Sequence, residues 1–211
     1  MKTFIEKAMT FTEYTKLIDD LLAEGKTTGP NQSAAMYNYG KLNRQRMLRL
    51  EKTVILKESL TRKLLNVKRK MIWLVLTEGW CGDAAQNVPI IEKISARSGN
   101  IETRYILRDE NPALMDKFLT VGARSIPKLI ALDAETLEVL GTWGARPKAA
   151  KAYFLKMKAQ GMEKRLIMEN LHRWYLQDKG RSIQSEFETL IDEWEIEDPE
   201  VKLKHAATPM S

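Results

Sequence analysis

The stretch from Met71 to Asp83 constrains the fold of this chain more than any other. Met71-Ile-Trp-Leu-Val-Leu76 is an apolar run rich in strand formers, bounded by Lys70 and Thr77. Such a run, apolar without alternation, suits a central strand covered on both faces. Thr77-Glu-Gly-Trp-Cys-Gly-Asp83 follows at once, and behind it Val88, Ile90, Ile91 and Ile94 fall at helical spacing. The chain passes from a buried strand into a helix through one short turn, and Cys81 stands at the junction.

Further strands and helices follow. Ile101 to Leu107 reads as a second strand, and Pro112 to Leu119 as a short helix with proline in its first turn. Lys128 to Leu132 and Leu137 to Trp143 read as paired strands joined by Asp133-Ala-Glu-Thr136. From Pro147 the pattern is helical to about Asp178, with a break near Gly161, and a last helix buries Phe187, Leu190, Ile191 and Trp194. The segment before Met71 is helical as well. Thr10 and Glu13 have capping-box spacing, and Tyr14, Leu17, Ile18, Leu21 and Leu22 share one face. Gly25 ends that helix, residues 27–31 read as a turn or exposed loop, and further helices are expected over 32–50 and 54–65.

Composition narrows the function classes. Apolar residues make up 44% and charged residues 29% of the 211, which describes an ordinary soluble domain with a buried core. The net charge of +6 is dispersed. Its densest stretch, Arg62, Lys63, Lys68, Arg69 and Lys70, lacks interleaved aromatics and reads as a solvated helix face, so no nucleic-acid partner is expected. One cysteine excludes an intramolecular disulfide. With no apolar leader at the start and no run long enough to cross a bilayer, a cytoplasmic, reducing location without membrane contact is expected.

A cysteine after a strand and before a helix lies among unsatisfied backbone N–H groups at the positive end of the helix dipole. Both favour thiolate, the reactive form, whereas burial in an apolar pocket acts the other way. Cys81 is therefore the candidate nucleophile. His172 and His205 lie far from it in sequence, and no metal site is expected from them. Trp143 and Trp174 read as packing residues.

Trp80-Cys81-Gly82-Asp83-Ala84 resembles the Trp-Cys-Gly-Pro-Cys signature of thioredoxins, with Pro89 where that family kinks its helix. Asp109-Glu-Asn-Pro112, Arg124-Ser-Ile-Pro127 and Gly144-Ala145 match later landmarks in the same order. The resemblance covers roughly residues 67–160 and extends to bacterial thioredoxin-like proteins with a Trp-Cys-Gly-Asp motif. It implies a thioredoxin-like three-layer α/β/α sandwich. Residues 1–66 would then form an N-terminal helical extension and residues 161–211 a C-terminal helical extension packed on the core. It further implies a cis Pro127 facing Cys81, with Trp80, Gly82, Ile126 and Pro127 shaping a substrate surface.

The departures from the family are specific. Ala84 replaces the resolving cysteine, and Asp83 replaces the motif proline, placing a carboxylate beside the thiol. Such an anion raises the thiol pKa, and it could equally relay protons. The family's buried Asp and Lys align with Val75 and Tyr105. Two mechanisms fit a single cysteine. Cys81 attacks a disulfide-containing protein or a low-molecular-weight disulfide, and an external thiol resolves the product. Alternatively, Cys81 is oxidised or capped reversibly as a sensor. Against both stands an inactive thioredoxin-fold adaptor that uses its helical extensions for binding. A Cys81–Cys81 homodimer is a further state. No cofactor is implied: Cys-Gly-Asp-Ala lacks the downstream Gly-Gly pair of cluster-binding glutaredoxins.

Overall fold

The computed structural model describes residues 1–196. Four helices come first: α1 (Lys2–Lys7), α2 (Phe11–Ala23), α3 (Ala34–Thr53) and α4 (Glu58–Asn66). The central part runs β1 (Met71–Thr77), α5 (Gly82–Ser95), β2 (Ile101–Leu107), α6 (Pro112–Met115), β3 (Lys128–Asp133) and β4 (Val139–Gly144). It is followed by α7 (Lys148–Ala159), α8 (Lys164–Asp178) and α9 (Arg181–Glu195). This is a mixed α/β fold with helical extensions, as the resemblance implies.

The sheet order is β2-β1-β3-β4. β1 pairs parallel with β2 and antiparallel with β3, and β3 pairs antiparallel with β4. β1 is thus interior, and Trp73, Leu74, Val75 and Leu76 are completely buried. Its unbroken apolar run is explained by that position: neither face meets water.

Elements from the whole length of the described chain share one hydrophobic core, which includes Tyr14, Met47, Leu60, Trp73, Ile91, Phe187 and Trp194. Trp73 packs against both Phe187 and Trp194 of α9, with ring centroids 5.1 and 5.6 Å away. Burial of such rings is a main source of stabilisation in a chain of this size. The end of α9 is tied down by Arg69, which donates to the carbonyls of Trp194 and Ile196 and pairs with Asp133. Lys63 pairs with Asp192 of the same helix. The basic stretch that reads as a solvated face therefore works in part as a clamp on α9. A smaller cluster of Ala150, Leu171 and Tyr175, with Phe154, Met168 and Trp174 around it, joins α7 to α8.

Several local expectations are corrected. α1 has no counterpart in the sequence pattern, being short and without a periodic apolar face. Next to it, Met9 exchanges two 2.8 Å backbone hydrogen bonds with Tyr105 and so covers part of the β2 edge. The helix expected over 54–65 starts only at Glu58, and the N–H of its cap residue Lys57 donates to the Gln184 side chain at 2.7 Å. Leu137 lies in the turn before β4, at φ 60°. Residues 27–31 form the irregular segment expected as a turn or exposed loop, but Thr27 and Thr28 in it are buried. Among the described residues no helix is long and apolar enough to cross a membrane.

Candidate functional site

Cys81 is the N-cap of α5. Its Sγ accepts the Ala84 N–H at 3.4 Å and donates to the Ile126 carbonyl at 3.4 Å. The Ile126–Pro127 bond behind that carbonyl is cis. The sulfur thus bridges the helix start and the segment before β3. Local sequence explains half of this. A buried strand ending at Thr77 and a helix starting at Gly82 leave Cys81 at the cap, where donors are free. The other half, the Ile126 carbonyl, comes from the β1–β3 pairing that brings the two segments together.

The thiol is covered. Cys81 is only 8% exposed, and burial pushes its pKa up to about 12, with the Asp83 carboxylate adding to the rise. The N–H groups of Ala84 and Asp83, and then Arg146, pull it partly back. The expected N-terminal stabilisation of thiolate is present, and desolvation outweighs it. The resting group is a neutral thiol.

Asp83 is 7% exposed and held from two sides. Arg146, just after β4, places Nε and Nη2 at 2.8 and 2.7 Å from its Oδ2. Tyr175 of α8 donates to its Oδ1 at 2.8 Å, and Asn87 bridges the Asp83 carbonyl and the Tyr175 hydroxyl. With both oxygens engaged this way, Asp83 works as an anchor for α8 in the resting state. Next to it α8 presses directly on the motif: a Cβ on Gly82 would lie 2.9 Å from His172 Cε1 and 3.8 Å from Arg46 Nη1. A side chain at this position would have to displace the His172 ring.

Trp80 is half-buried, with the Arg108 guanidinium 4.8 Å from its ring centroid. The 27–31 turn closes over it: Gly29, at φ 79°, has room for no side chain, since a Cβ would meet Asp109 Oδ2 at 2.7 Å and Trp80 Nε1 at 3.1 Å. Ile126 and Pro127 are buried beside Cys81, so the expected substrate edge faces inward in this state. Beneath the motif, Val75 and Tyr105 are register partners and fully buried. The Tyr105 hydroxyl donates to Glu92 at 2.9 Å, its ring stacks on Tyr14, and Tyr14 bonds to Thr77. An aromatic and hydroxyl ladder fills the place of the family's acid–lysine pair.

Cys81, Gly82, Asp83, Ile126 and Pro127 are brought together, with Trp80 alongside. His205 lies outside the described residues. Sequence reasoning missed Tyr175, Arg146, His172 and Arg46. Arg146 carried a weak signal, two positions after the Gly144-Ala145 landmark, whereas nothing in the sequence linked α8 to the motif. Glu78 was also missed: it is fully buried, accepts the Asp109 N–H at 2.9 Å, and has its pKa raised by desolvation.

The thioredoxin family model matches residues 29–161. A thioredoxin from Streptomyces clavuligerus is 38% identical over 72 residues, which cover 34% of this chain and 63% of that protein. The chain therefore spans somewhat under two thirds of that relative's length. Two solved structures match at TM-score 0.53: an HIV epitope-scaffold, 19% identical, and a Pseudomonas aeruginosa protein of unknown function, 18% identical. Each comparison covers 87% of this chain and 98% of the other, and shows likeness of fold.

Proposed function

The chain belongs to the thioredoxin family, and on that premise we propose that it is a monothiol oxidoreductase that works through Cys81 and is gated by α8. One observation carries the reading. The Cys81 sulfur sits at the cap of α5, within reach of the Ala84 N–H and opposite the Ile126 carbonyl ahead of Pro127. Displacement of α8 would expose the sulfur and remove the desolvation that holds it neutral. The cap N–H and helix dipole then favour thiolate, and the proton passes to solvent. The thiolate attacks one sulfur of a disulfide substrate. A Cys81–sulfur bond forms, the substrate S–S bond breaks, and the second sulfur leaves as thiolate. Because Ala84 offers no second thiol, an external low-molecular-weight thiol attacks the mixed disulfide. Its sulfur bonds to the substrate sulfur, the Cys81–sulfur bond breaks, and Cys81 leaves as thiolate; the external thiol and the substrate sulfur end joined in a new disulfide. Asp83, freed from Tyr175, would then sit next to the reacting sulfur and tune it.

A second reading, a thioredoxin-fold adaptor that uses its helices for binding, draws support from the 8% exposure of Cys81. Disulfide exchange by the purified protein separates the two. The oxidoreductase reading expects measurable exchange that disappears in Cys81→Ser. Equal rates in the two proteins, or no exchange by the wild type, would leave the adaptor reading.

A further inference from the structure

Three neighbouring arginines differ in how their charge is met. Arg44 is paired with Asp19 and Glu51, at 2.8 and 2.9 Å. Arg146 is paired with Asp83. Arg46, half-buried on α3, donates only to the Asn43 side-chain oxygen at 2.9 Å, and among the described residues it has no carboxylate within ion-pair distance. Burying a charge without a counter-ion is costly, so an arginine in this state is primed for an anion. The cost is visible in its pKa, lowered by burial and by Arg49 one turn away.

The place of Arg46 gives that anion a purpose. Its Nη1 lies 3.8 Å from where a Gly82 Cβ would stand, immediately next to Cys81. His172 lies against the same glycine and, as an imidazole, supplies no negative charge in either protonation state. Asp83 is the carboxylate within the motif, and Arg146 and Tyr175 already occupy both of its oxygens. The anion of Asp83 is thus already committed, and Arg46 on the far side of Gly82 is left, among the described residues, without a carboxylate of its own.

We propose that Arg46 binds the carboxylate of a low-molecular-weight thiol or disulfide and so directs an anionic small substrate to Cys81. The proposal rests on the exchange reading above and names its substrate class. Small size follows from the same geometry. His172 of α8 lies against Gly82 and Cys81 is barely exposed, so on the gating reading a compact substrate needs a smaller displacement of the helix than a folded protein does.

Paired alkylating reagents of nearly equal size test it. The rates at which anionic iodoacetate and neutral iodoacetamide modify Cys81 are measured at one pH, in wild type, Arg46→Gln and Arg46→Lys. The ratio of the iodoacetate to the iodoacetamide rate cancels differences in thiol pKa and in helix opening. It is expected to fall about threefold or more in Arg46→Gln, to be largely kept in Arg46→Lys, and to fall in wild type as salt is raised. An equal ratio in wild type and Arg46→Gln would overturn the proposal, and so would a wild-type ratio indifferent to salt. The exchange assay stays separate. Exchange that depends on Cys81 with an unchanged reagent ratio removes only the anion site. A shifted ratio without any exchange removes the enzyme reading and leaves an anion-selective thiol.

Discussion

The Tyr175 hydroxyl donates a 2.8 Å hydrogen bond to Asp83 Oδ1 across 92 residues of sequence. This contact joins α8 to the residue two positions after Cys81. Arg146 completes it from the β4 side. On the proposed gating by α8, variants that disturb this contact are expected to change the behaviour of the thiol.

Tyr175→Phe removes the hydroxyl and keeps the ring in its apolar cluster. A hydrogen bond to a charged, buried acceptor contributes about 1.5–3 kcal/mol, so the denaturation midpoint should fall accordingly. At fixed pH, iodoacetamide should modify Cys81 faster than in wild type, because α8 opens more often. An unchanged modification rate with the expected loss of stability would show that α8 does not control access.

Asp83→Asn removes the carboxylate that adds to the raised Cys81 pKa, and it leaves Arg146 without its counter-ion. Both changes favour thiolate. The apparent Cys81 pKa, from the pH dependence of alkylation, should drop from about 12 by about a unit or more, while stability also drops. A pKa that stays the same or rises would mean that burial alone sets it.

His172 supplies a pH dependence with a definite sign. Burial, followed by Arg46 and then Arg146, lowers its pKa from 6.5 to about 4, with Asp83 opposing. The unfolded chain then binds the proton more readily than the folded one. The stability contribution is complete above about pH 6.5 and is lost as the pH falls towards 4. Denaturation midpoints at pH 7 and pH 5 should differ more in wild type than in His172→Gln. Equal differences in the two proteins would remove His172 from the account.

Phe187→Ala tests how far α9 is part of the main core. The ring is fully buried and contacts Trp73, Trp143 and Trp194. Removing it should cost about 3–5 kcal/mol in chemical denaturation, in a single cooperative transition. A cost near zero, or a separate early transition, would show that α9 merely leans on the sheet.

Much of the fold was legible because it is encoded locally. The apolar run of β1, the capping box at Thr10 and the helical spacing behind Cys81 each need only near neighbours to be read. The sequence by itself determined that Cys81 caps α5, since a buried strand followed by a short turn and a helix allows little else. It also determined that Ala84 stands where the family carries its second cysteine. Tertiary structure alone decided the state of that cysteine. A thiol's pKa depends on what covers it, and the groups that cover Cys81 and hold Asp83 come from distant elements: Ile126, Arg146, His172 and Tyr175. No local pattern announces such contacts, because α8 buries a face suited to any helix packing. The sulfur and its dipole are local properties, whereas desolvation and ion pairing depend on which surfaces meet.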